Sequence, residues 1–218
     1  MNTNVQQKFS KVSGDYNRDL PAVVFDLDDT LGQMHYLLIE HACRTHGVET
    51  NSERWQNRYS FVDLAEFCGV DVNTFYHLLE QDPIPTQEFK VHPRAAEFIC
   101  GVRKHFRIHH RTEVNVHVVT SRGAFWRDHT PLILETVRDL PIDGIHVIDK
   151  FDEKIGWCRE KFGKVLSVFE DSPKAIDQCL LQGIPVHVSS MNYNRHYNLP
   201  RFCLWEHNFG DFNIFKRV

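Results

Sequence analysis

Five short apolar runs, spaced along one chain, constrain what this sequence can fold into more than any other feature. They lie at 21–26, 114–120, 145–148, 165–170 and 184–188. Runs this apolar and this short suit strands buried on both faces. Between them, 130–140, 153–162 and 173–182 read as helices, the last closed by Gly183. Buried strands alternating with helices of this length predict an α/β fold, a doubly wound, Rossmann-like parallel sheet.

The segment 32–89 breaks the rhythm. It holds no buried strand, and 34–46, 61–68 and 72–81 read as helices, with Asp71 capping the third. The Asp82-Pro83-Ile84-Pro85 cluster ends the helical run. The expected organisation is a polar lead-in at 1–20, an α/β core at 21–31 and 90–218, and a small helical cap at 32–89. His92-Pro93 marks the return to the core as a turn, and the aromatic-rich end from 202 onward docks on the body.

At 218 residues the chain is large enough to bury roughly 70% of its unfolded surface. A net charge of -4 argues against coating nucleic acid, so no long nucleic acid is expected as a partner. No apolar run approaches the ~20 residues that span a bilayer, which argues against a membrane. Residues 1–20 lack the apolar centre of a signal peptide, and the cytoplasm is the expected location. None of the six cysteines lies within three positions of another, so no CxxC pair exists, and most read as buried small hydrophobes.

Ligands of open parallel sheets bind beyond the carboxyl ends of the strands. The first run ends in Asp26-Leu27-Asp28-Asp29-Thr30, the second in Thr120-Ser121-Arg122, the fourth in Glu170-Asp171-Ser172, and Lys154 opens the helix before the fourth. Two carboxylates one residue apart can divide the labour of nucleophile and general acid/base. Further carboxylates can hold magnesium, while a lysine and a hydroxyl neutralise phosphoryl oxygens.

Taken in order, Asp26-Leu27-Asp28-Asp29-Thr30, Thr120, Lys154 and Glu170-Asp171 resemble the four motifs of the haloacid dehalogenase (HAD) superfamily of aspartate-nucleophile phosphatases. The resemblance covers about 21–195, and the insert falls where that family carries a C1-type cap. It implies that Asp26 attacks phosphorus and that Asp28 serves as acid and then base. It further implies Mg2+ held by Asp26, the Asp28 backbone carbonyl and Asp171, with Glu170 assisting directly or through water. Thr120 and Lys154 would bind phosphoryl oxygens. Val119-Thr120-Ser121-Arg122, Phe169-Glu170-Asp171-Ser172, Gly183-Ile184-Pro185-Val186 and Asn192-Tyr193-Asn194-Arg195 are further similar to the 5'(3')-deoxyribonucleotidase-like branch, in which Arg122 could contact phosphate or sugar. That similarity makes a nucleoside 5'-monophosphate the expected small-molecule partner.

Plainer readings compete at each position. An isolated acidic strand end is often a turn, and Asp29 reads as a local brace. Ser121 is an alternative to Thr120, and Lys150 is the runner-up to Lys154, with Lys161 and Lys164 also available. The fourteen histidines lack metal-site spacing and read as surface or partly buried residues; His109 and His110 fall in an exposed basic connection. The four tryptophans read as packing residues, although Trp126, Phe61 and Tyr76 could line the pocket. The rival functions are a sugar-phosphate phosphatase or phosphomutase, a non-catalytic nucleotide-binding protein on the same fold, and an enzyme of polynucleotide ends.

Overall fold

In the computed structural model, the described residues are 17–34, 37, 40, 41, 44, 65, 66, 69, 71, 88–121, 130–148 and 153–204. Their elements run β1 (Ala22–Phe25), α1 (Ala95–His109), β2 (Asn115–Ser121), α2 (Thr130–Val137), β3 (Gly144–Ile148), α3 (Lys154–Phe162), β4 (Val165–Glu170), α4 (Pro173–Leu181), β5 (Val186–Ser189) and β6 (Arg201–Phe202). The six strands form one sheet in the order β3-β2-β1-β4-β5-β6, and every pairing is parallel. This is the doubly wound arrangement that the apolar runs predict.

Strand parity sorts the core into two halves, because successive side chains point to opposite faces. Val23, Phe25, Val116 and Val118 join α1 and α2 on one face. Ala22, Val24, Val119 and Val168 join α3 and α4 on the other. Under the carboxyl edge, Phe25 of β1 and Phe169 of β4 are in register and stack at 4.3 Å. His187 of β5 stacks on the far side of Phe169 at 4.6 Å, and Phe98 of α1 meets both phenylalanines edge-on.

Two elements were not anticipated. Helix α1 replaces the expected basic connection at its carboxyl end: His109 closes the helix and His110 caps it. Its buried residues Ala95, Phe98, Ile99, Val102 and Phe106 follow helical spacing. Arg103 fastens it to the body through the Val114 carbonyl at 2.9 Å and the Asp143 carboxylate at 2.5 Å. Cys100 of that helix is exposed, while Cys158 and Cys179 are buried, as expected for most of the cysteines. Strand β6 has two residues, too few for any periodicity to register. Helix α2 ends at Val137 instead of 140, consistent with Pro141, which disfavours helix in the residue before it.

An antiparallel bridge joins Gly32 to Val91, at the two ends of the expected cap segment. His92 N–H also donates to the Leu31 carbonyl at 2.9 Å. A Cβ on Gly32 would stand 2.2 Å from the ring of buried Phe89, so only glycine fits this crossing. Of the expected cap helices, Met34, Leu37, Glu40, His41 and Arg44 are helical in the first, and Ala65 and Glu66 in the second. The third, 72–81, with Phe61, Tyr76 and Trp126, lies outside the described residues. Among the described residues, no helix is long and apolar enough to cross a membrane.

The histidines depart furthest from their expected placement. His117 is fully buried on β2, stacks on Phe162 at 4.2 Å, and its Nδ1 lies 3.3 Å from Nε2 of His146. Burial, and then the neighbouring His146, pull its pKa down to about 3; burial and then Lys161 pull His146 down to about 4. An unfolded chain would take up these protons first, at an ordinary pKa of 6.5. The stability the pair contributes is therefore whole above pH 6.5 and is lost as the pH falls toward about 4 and then 3. Removing one titrating ring should flatten that loss. Urea titrations of His117→Phe and the wild type should converge, or cross in favour of the variant, by up to about 1.4 kcal/mol per pH unit between pH 6.5 and 4.5. Parallel stability–pH curves would refute this account of the pair.

Candidate active site

The sheet order reverses between β1 and β4, and in open parallel sheets ligands bind beyond the carboxyl ends at such a switch point. Asp26 follows β1 directly, and its N–H donates to the Phe169 carbonyl at 2.9 Å, carrying the ladder one residue further. Glu170 ends β4 and Asp171 follows it. Asp26, Glu170 and Asp171 are all buried, and one carboxylate oxygen from each lies within 4.8 Å of the others.

Among the described residues, one cation pairs with two of these acids. Lys154 opens α3, is 0% exposed, and its Nζ donates to Asp26 Oδ1 and, at 2.7 Å, to Glu170 Oε2. Lys161 and Lys164 are exposed, and Lys150 lies outside the described residues. Burial opposes the Lys154 charge, but the two touching carboxylates outweigh it and hold its pKa above the ordinary value. Burial drives Asp26 well upward; Lys154 opposes that, and Glu170 and Asp28 add to it. Asp171 is also raised well above the usual range, by burial first and then by Glu170, Asp26 and Asp29. Among the described residues, these three buried acids stand against one ammonium, and an oxygen-only donor set of this kind suits a hard cation such as magnesium.

The other candidates divide. Thr120 reaches the site, where its hydroxyl donates to Asp28 Oδ2 at 3.2 Å. Ser121 ends β2, and its Oγ has no hydrogen-bond partner among the described residues. Arg122 lies outside the described residues. Glu170 is more heavily engaged than its position suggests: Oε1 accepts the N–H groups of Asp171 and Ser172 at 3.2 Å, while Oε2 faces Lys154. Asp29 braces the turn through its backbone. It adopts φ 59, a region Asp tolerates better than most residues, and its carbonyl accepts the Ser189 hydroxyl at 2.8 Å.

Three residues join the site without a role assigned from sequence. The Thr30 hydroxyl donates to Asp171 Oδ1 at 3.2 Å, and the Tyr193 hydroxyl donates to Asp171 Oδ2 at 2.6 Å. The Asn194 amide donates to the carbonyls of Asp171 and Ser189, both at 2.8 Å. The signal for the latter two was the Tyr-Asn pair after the last long strand, which by pattern alone points to no partner.

No protein-family model matches the sequence, and no curated protein does. Solved structures do resemble it. A candidate haloacid dehalogenase-like hydrolase from Bacteroides fragilis aligns over 84% of this chain and 96% of its own, with a TM-score of 0.57 and 12% identity. A candidate phosphatase from Clostridium difficile aligns over 79% and 86%, with a TM-score of 0.52 and 14% identity. A candidate beta-phosphoglucomutase from Thermotoga maritima aligns over 78% and 86%, with a TM-score of 0.51 and 20% identity. These likenesses join the strand order and the position of the acids in one conclusion: the chain has the haloacid dehalogenase-like α/β fold.

Proposed function

We propose that this protein is a magnesium-dependent phosphomonoesterase with Asp26 as its nucleophile. The observation that carries the reading is the meeting of Asp26, Glu170, Asp171 and Lys154 beyond the ends of β1 and β4. A carboxylate oxygen of Asp26 bonds to phosphorus as the ester P–O bond breaks, and protonated Asp28 gives its proton to the departing oxygen. Asp28 then takes a proton from water, whose oxygen bonds to phosphorus as the aspartyl P–O bond breaks. Phosphate leaves and Asp26 is restored.

Thr120, already hydrogen-bonded to Asp28, would orient that acid/base and bind a phosphoryl oxygen. Lys154 keeps a positive charge beside the attacking carboxylate. Asp26, Asp171 and the Asp28 carbonyl would hold magnesium, with Glu170 acting through water because its oxygens already accept three hydrogen bonds. When bound, magnesium offsets the repulsion between an anionic nucleophile and an anionic ester. The segment 32–89 is proposed as a cap that excludes water and limits substrate size.

A nucleoside 5'-monophosphate is the proposed substrate, on the resemblance carried by Val119–Arg122 and Asn192–Arg195 in the sequence, with Ser121 and Arg122 near the phosphate or sugar. The fold likeness to the Thermotoga maritima protein, described as a candidate beta-phosphoglucomutase, favours a sugar phosphate as the second reading. A panel of phosphate esters separates them. Nucleotides should show kcat/KM at least about tenfold above sugar phosphates, a difference of about 1.4 kcal/mol in barrier. The reverse order would replace the first reading with the second.

Asp26→Asn tests the chemistry. Magnesium-dependent phosphate release should fall at least about 1,000-fold, as removal of a nucleophile commonly gives. The metal-free variant should still fold, because Lys154 keeps Glu170 as a charged partner. Retained turnover would reject the nucleophile, and a wild type that releases no phosphate with magnesium would leave a binding protein as the better reading.

A further inference from the structure

We infer that Tyr193 is a positioning residue for the metal: its hydroxyl sets the orientation of the Asp171 carboxylate that receives the ion. The inference rests on the proposed magnesium site and deepens it. Asp171 lies just beyond β4, where no strand ladder fixes its side chain. Each of its carboxylate oxygens is instead met by a hydroxyl from a different part of the chain. Thr30, after β1, holds Oδ1 at 3.2 Å, and Tyr193, after β5, holds Oδ2 at 2.6 Å. The Tyr193 bond is the shorter, in the range of charge-assisted O–H···O⁻ bonds. With one donor on each oxygen, rotation of the carboxylate about its Cβ–Cγ bond breaks both contacts.

The tyrosine is itself held by a built turn. It occupies the middle of the 3-10 turn Asn192–Asn194. Asn194 is fully buried, donates to the Asp171 and Ser189 carbonyls, and accepts the Met191 N–H at 3.2 Å on Oδ1. Arg201, on β6, donates to the same Oδ1 at 3.0 Å and to the Asn194 carbonyl. A chain of contacts thus runs from the edge strand through the turn to one carboxylate. Strand β6, too short to add much to the sheet, gains a purpose as the anchor of this turn. Groups beyond the ligands of a metal site commonly change its affinity about 10- to 100-fold when removed.

The test is magnesium binding measured by calorimetry on the full chain, alongside phosphate release titrated with magnesium. Tyr193→Phe should raise the magnesium Kd at least about tenfold. Its kcat should recover toward the wild-type value at high magnesium, a rescue that a merely distorted fold would not allow. Tyr193→Gln, which keeps a donor on a shorter side chain, should fall between the two, and it carries the measurement if the Phe variant does not fold. Tyr197→Phe is the control. That hydroxyl serves the Pro173 carbonyl and Asp177, not Asp171, so its magnesium titration should match the wild type. A wild-type magnesium Kd in both Tyr193 variants overturns the inference while leaving the proposed activity standing. A wild type that binds no magnesium overturns both.

Discussion

Lys154 carries its charge where no water reaches it, and two carboxylates from separate strands close around it. A buried ammonium without such partners would be neutralised or expelled, and removal of one partner from a buried pair commonly costs about 3–5 kcal/mol. The first turn of α3 is therefore tied to the carboxyl ends of β1 and β4 at once. The same contact concentrates opposing charge, because Asp171 stands beside the pair with no cation of its own among the described residues. Burial that would be a liability in a structural ion pair becomes useful if a divalent ion and an anionic ester are to share the space.

Below this charged layer lies an apolar one. Phe25, Phe169 and His187 stack across three adjacent strands one position beneath the acids, with Phe98 against their edges. A shift of one residue between β1 and β4 would break the stack and turn Asp26 to the opposite face. Ring packing therefore holds the acids at their separation, a task that mutual repulsion between carboxylates would otherwise undo.

Much of this was legible in the sequence, for identifiable reasons. Strands β1 to β5 are short apolar runs with little competing signal, and the acids stand at their ends, where any parallel sheet presents them. Helix α1 was also legible in principle from Ala95, Phe98, Ile99, Val102 and Phe106. Its many basic residues and the preceding His92-Pro93 drew attention to a turn instead. The choice of Lys154 over Lys161 and Lys164 depends on burial, which spacing alone does not reveal. The pairing of Tyr193 with Asp171 arises only when the chain folds back through a turn after β5. Glu170 looked equally suited to metal or second-sphere duty, and its three accepted hydrogen bonds could not be read from its place in the sequence.

The bridge between Gly32 and Val91 has a consequence for how such a chain can diverge. Gly32 and Val91 stand side by side, pinned by Phe89 over the glycine, so the backbone between them is closed into a loop at that point. The entropy of closing a flexible ring grows only with the logarithm of its length, about 0.6 kcal/mol for each doubling. Lineages could lengthen, shorten or exchange that loop with little thermodynamic resistance, while Asp26, Glu170 and Asp171 stay where the sheet has set them.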